Sequence, residues 1–162
     1  GLFVNASRGE ILQTAQAAGL SHVQLHGDES PGDCSDLGRP VIKAIRMGSA
    51  LSSEDALVKS TTAFLPVASV LFDTDTPGFG GSGHAFDWGR LLPIRDQLQG
   101  RWVLSGGLYS ETVGAAIRRL SPPAVDVSSG VEQVEQGVLQ RGLKDAARIQ
   151  SFMAAVRQAD GA

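Results

Sequence analysis

The sequence predicts an α/β protein of the (β/α)8 TIM-barrel class, with only about six βα units present. Three observations carry that reading. Apolar strand-like runs alternate with helical stretches along almost the whole chain, the pattern of parallel strands joined by right-handed crossovers. The strand-like runs are short and strongly apolar, as parallel strands covered by helices are. Nearly every run ends, on its carboxyl side, in a polar or glycine cluster: Asn5, His26-Gly27, Asp73, Ser105-Gly106-Gly107 and Ser128-Ser129-Gly130. An open doubly wound sheet would concentrate its ligand groups at one switch point, whereas a barrel gathers them from all strands around one mouth. A complete barrel needs eight strands and usually about 250 residues. In a chain of 162 residues, about six units imply that about two are absent.

The elements follow in order. The chain opens on GLFVN, inside a strand pattern and with no initiator Met, as a chain beginning mid-domain would. A helix is expected over residues 7–18, because Ser7 and Glu10 have capping-box spacing and Gly19 sits at the stop position. HVQLHG is the next strand, and Cys34 lies within or just before the helix expected after it. VIKAI follows, then a helix over residues 53–59. VASVLFD is a strand, and a glycine-rich loop leads from it to a helix beginning near Asp87. WVLSGG precedes a helix with Val113, Ile117 and Leu120 on one face. AVDVSSG is the last strand. The final helix, residues 145–158, aligns Ile149, Phe152, Met153 and Val156 on one face.

Composition limits the function classes. Hydrophobic residues make up 42% and charged residues 19% of the chain, ordinary for a globular protein, and a net charge of −3 gives no reason to expect nucleic acid or an anionic membrane as partner. No apolar run approaches the ~20 residues of a membrane span. The single cysteine, Cys34, excludes an internal disulfide framework and fits a cytoplasmic location. No metal-ligand cluster is visible.

The glycine pair of SGGL marks a chemical site. Without a Cβ, backbone N–H groups approach an anion closely, and a helix starting just after adds its N-terminal partial charge. With SSG in the following unit, the two loops form a nest for a phosphate, a site that recurs after the last two strands of such barrels. We therefore assign phosphate binding to Ser105, Gly106, Gly107, Ser128, Ser129 and Gly130. Tight turning alone is the alternative for either loop taken singly.

The motifs VQLHGDES, IKAIR, LFDT…GGSGHAFDW, VLSGGL and VDVSSGVE…GLKD, in this order, resemble the phosphoribosylanthranilate isomerases of tryptophan biosynthesis. The resemblance spans almost the whole chain. It implies that the strands present are the family's third to eighth. It also implies an Amadori rearrangement of N-(5-phosphoribosyl)anthranilate to a 1-deoxyribulose 5-phosphate, with no cofactor. Asp73 matches the family's general acid, placed where an apolar wall would keep its proton available. His26 and Asp126 match substrate-binding positions. Asp126, between Val125 and Val127, needs a partner or a ligand if buried. Gly81, Ser82 and Gly83 match a loop that closes over substrate, with Ser82 in place of the more usual Thr. Phe86 and Trp88 read as packing anchors, and Asp75 as a loop residue.

The family's base, a cysteine on its first strand, and the arginine that holds the anthranilate carboxylate have no counterpart among these motifs. Cys34 does not match the base, and Arg46 already occupies the KAIR position. The run QVEQGVLQR is longer than the family's connection there and reads as a local loop change. The partner expected is a small phosphorylated substrate, with a fusion or complementing N-terminal segment. Two alternatives stand beside this reading: another phosphosugar-binding barrel enzyme, and a non-catalytic phosphate-binding piece, poorly soluble because its sheet edges are open.

Overall fold

The computed structural model describes residues 1–75 and 85–161. Strands β1 (Leu2–Phe3), β2 (Val23–Leu25), β3 (Val41–Arg46), β4 (Ser69–Asp73) and β5 (Trp102–Leu104) form one sheet in chain order, and every neighbouring pair is parallel. Chain order without reversal is the barrel arrangement, not the doubly wound one. The expected strand AVDVSSG is reduced to a parallel bridge between Leu104 and Val125. Two hydrogen bonds close it, Leu104 N to Ala124 O (3.0 Å) and Asp126 N to Leu104 O (2.8 Å). Leu2, Gln24 and Ile42 line the same cavity, about 370 Å³, as Asp126, Val127, Ser128 and Lys144. The sheet therefore curls until its first strand and its last bridge face one space.

Helix α1 (Arg8–Ala17) begins with the expected capping box: Ser7 N donates to Glu10 Oε2 at 2.8 Å, and Glu10 N to Ser7 Oγ at 3.3 Å. Gly19, at φ +60°, supplies the left-handed residue after its end. Helix α2 (Glu54–Thr62) is capped by Ser53. Helix α3 (Ser110–Leu120) buries Val113, Ile117 and Leu120 as expected, and α4 (Ala146–Asp160) is capped by Asp145 and packs on α3. The core lies between the sheet and these helices. Val23, Leu25, Val70, Phe72 and Leu104 meet Leu57, Leu120 and Phe152 there, and the Phe72 and Trp102 rings meet edge to face at 6.0 Å.

Four elements differ from expectation. No helix follows β2; residues 31–36 form turns that bury Cys34, and Leu37 just beyond them is buried too. The helix expected from Asp87 is instead two 3-10 turns, Trp88–Leu91 and Arg95–Leu98. Pro93 between them has no N–H to continue a helix. The run read as a loop change is an antiparallel hairpin, β6 (Glu132–Glu135) with β7 (Val138–Lys144). Its turn residues Gln136 and Gly137 have φ +51° and +78°, the backbone a tight hairpin requires. On α4 only Phe152 is buried; Ile149 and Met153 are exposed, 41% and 44%. No helix among the described residues is long and apolar enough to cross a membrane.

Candidate active site

Side chains alternate between the faces of a strand, so Gln24 and His26, Leu71 and Asp73, and Val103 and Ser105 each share a face. The polar members of these pairs end their strands at one rim. Asp73 is buried, 8% exposed, and its Oδ2 lies 3.2 Å from His26 Nε2, a close contact that is not a hydrogen bond. His26 Nδ1 is 3.3 Å from Gln24 Oε1. Ser105 Oγ donates to Asp126 Oδ2 at 3.2 Å, so the half-buried Asp126 has a partner. Burial pushes the Asp126 carboxyl above its ordinary value, and the negative charge of Asp73 adds to this; the Ser105 hydroxyl, His26 and Lys144 pull the other way.

The glycine loops close on the same place. Gly106 (φ +79°) and Gly107 (φ +69°) both occupy the left-handed region, where side chains are disfavoured. A Cβ on Gly106 would lie 2.6 Å from Thr74 Oγ1, 2.8 Å from Thr74 N and 3.3 Å from Asp73 Oδ1. A Cβ on Gly130 would lie 2.0 Å from Leu108 O. The Ser105-Gly106-Gly107 tip thus abuts Asp73, and the Ser128-Ser129-Gly130 tip abuts the residue that follows Gly107. Helix α3 starts at Ser110, as expected, and SSG leads into a 3-10 turn (Ser129–Val131) and the hairpin.

Gly81, Ser82 and Gly83 lie outside the described residues. Asp75 stands apart in the loop after β4, lining a cavity of about 560 Å³ with Met47, Ser52 and Arg90. Phe86 is buried, and Trp88 packs on the core while its Nε1 donates to Gly106 O at 3.3 Å. Cys34 is 2% exposed, and burial pushes its thiol up to about 11, far from a thiolate at neutral pH. Arg46 is ion-paired with Asp28. Among the described residues no group of three or more His, Cys, Asp or Glu stands close enough to hold a metal ion.

Sequence reasoning left two nearby residues without a role, Thr74 against Gly106 and Lys144 against Ser128. Lys144 stood inside the GLKD motif, but its contact with Ser128 depends on a hairpin fold that the motif does not announce.

The family model for N-(5'phosphoribosyl)anthranilate (PRA) isomerase matches residues 1–155. The chain belongs to this family. N-(5'-phosphoribosyl)anthranilate isomerase of Pseudomonas putida is 46% identical over 160 residues, covering 98% of this chain and 71% of that protein. The Pseudomonas fluorescens enzyme is 44% identical, covering 100% and 71%. Among solved structures, phosphoribosyl anthranilate isomerase from Thermotoga maritima superimposes with a TM-score of 0.78 at 39% identity, covering 100% of this chain and 72% of that one. A phosphoribosyl anthranilate isomerase in complex with reduced 1-(o-carboxyphenylamino)-1-deoxyribulose 5-phosphate gives 0.75 at 35% identity, covering 100% and 71%. The fold is therefore of the α/β TIM-barrel type.

Proposed function

We propose that the chain catalyses the isomerisation of N-(5'-phosphoribosyl)anthranilate to 1-(2-carboxyphenylamino)-1-deoxyribulose 5-phosphate, in tryptophan biosynthesis, as one barrel-type domain of the cytoplasm. Family membership supports the reaction. The observation that carries the site is the meeting of the Ser105-Gly106-Gly107 tip with Asp73 on one side and, through Leu108, with Gly130 on the other. In this reading the backbone of the two tips, with Ser105, Ser128 and Ser129, receives the substrate phosphate. Asp73 protonates the furanose ring oxygen to open the sugar. Asp126, held by Ser105, binds and orients the ribose. His26 binds substrate beside Asp73, and by resemblance Gly81, Ser82 and Gly83 also bind it.

The base that takes the proton from the carbon next to the imine is not assigned to Cys34, whose thiol is buried and protonated, nor the anthranilate carboxylate to Arg46, which is committed to Asp28. By resemblance both roles belong to the family's first two βα units, and the strands here to its third to eighth.

Asp73→Asn tests the assignment. Removing a general acid costs about 10²–10⁴-fold in turnover, whereas the dissociation constant for ribose 5-phosphate should move by no more than about twofold, because the phosphate contacts are untouched. Turnover that survives the substitution overturns the role of Asp73. Loss of ribose 5-phosphate binding would instead favour a structural role for its contact with His26.

A further inference from the structure

We propose that Lys144 is a positioning residue for the Ser128–Gly130 loop and, through that loop, sets the affinity of the site for phosphate. The proposal rests on the reading of this loop as a phosphate site. Lys144 ends β7 opposite Glu132, where the hairpin register shifts. Its Nζ donates to Ser128 O at 2.9 Å, to Ser128 Oγ at 3.2 Å and to Glu132 Oε1 at 3.1 Å. An ammonium has three N–H groups, so all three are engaged. Lys144 therefore acts on an anion through the loop and through its charge, not by direct contact.

The anchor behind it is firm. Glu132 is 6% exposed, and its Oε1 also accepts from Gly142 N at 2.9 Å. Burial alone would raise this carboxyl, yet the Gly142 amide and Lys144 hold it below its ordinary value, so it stays an anion facing the ammonium. The grip matters because of the backbone it holds. Ser128 has φ −119° and ψ −80°, outside the regular helical and extended regions. A trans peptide aims its N–H opposite to its C=O. Pinning Ser128 O on Lys144 thus aims the Ser129 N–H away from the ammonium, out of the loop's other side. The hairpin is the element that delivers this lysine.

The test titrates the protein with inorganic phosphate by calorimetry and follows KM and kcat for the phosphorylated substrate. The variants are Lys144→Met, Lys144→Arg and Glu132→Gln. Lys144→Met should weaken phosphate binding about tenfold or more, the size of a lost set of charge-assisted hydrogen bonds, and raise KM with little change in kcat. Lys144→Arg should recover part of the loss, since a guanidinium also bridges carbonyl and carboxylate. Glu132→Gln keeps the ammonium but slackens its anchor, and should weaken phosphate binding even if Lys144→Met fails to fold. Unchanged phosphate affinity in folded Lys144→Met or in Glu132→Gln, including a lowered melting temperature with no change in affinity, overturns the proposal and leaves the phosphate loop standing. A folded parent protein that does not bind phosphate overturns both.

Discussion

Gly130 has no room for even one more carbon. Its Cβ would stand 2.0 Å from Leu108 O and 3.0 Å from Val127 Cγ2, so Gly130→Ala must push the two phosphate tips apart. We expect a loss of about 1–3 kcal/mol in stability from overpacking, read by urea denaturation, together with weaker ribose 5-phosphate binding. Asp126 gives a prediction with a definite sign. Its carboxyl is raised in the folded state, so its contribution to stability is full below its unfolded value of 3.8 and is lost as pH rises through the folded value. Asp126→Asn lacks this dependence, and should gain stability relative to the parent as pH rises from about 4 toward neutrality. A flat difference between the two unfolding curves would refute it. The sequence could say that an aspartate among valines needs a partner. It could not name Ser105, 21 residues away, because only the parallel pairing of adjacent strands brings them together.

At the level of elements, β3 hides a charge that its pattern does not announce. Lys43, in VIKAIR, is 3% exposed, and its Nζ donates to Glu29 Oε2 at 2.9 Å, Gly27 O at 2.7 Å and Leu25 O at 3.3 Å. Glu29 in turn accepts from Asn5 N and Gly27 N. One buried pair thus ties the carboxyl ends of β1 and β2 to β3, beside the turns that replace the expected helix after β2. Lys43→Met would strand the Glu29 charge and should cost about 3–5 kcal/mol at neutral pH. Burial tends to raise Glu29, but Lys43 and the Asn5 amide hold it below its ordinary 4.5. The pair's contribution is therefore present above that value and lost as pH falls through the folded one, so the Lys43→Met penalty should shrink in acid. A penalty that stays constant down to low pH would contradict this. Helices α1, α3 and α4 were legible because their caps and periodicities are local. The missing second helix and the hairpin were not. Their signals, a proline-glycine turn run and a Gln-Gly pair between short apolar alternations, are weaker than the βα rhythm around them.

For the whole molecule, the alternating pattern read as a barrel was right about order and direction, because parallel strands in sequence are what short crossovers enforce. It overestimated burial on α4, where Ile149 and Met153 are exposed. Periodicity shows that a helix has an apolar face, but not how much of that face a neighbour takes. On α4 the main neighbour is α3, and only Phe152 is buried. Ile149 and Met153, one turn apart, are partly exposed, and contiguous exposed apolar surface favours association. The polypeptide described here should therefore scatter light increasingly with concentration and bind a hydrophobic dye. The double variant Ile149→Glu, Met153→Lys removes that face and places a Glu four residues before a Lys, the favourable order on a helix. It should reduce both signals while changing stability by no more than about 0.5 kcal/mol, as surface substitutions do. A much larger loss of stability would mean that the face is covered in the folded protein in solution, and that α4 packs on more than α3.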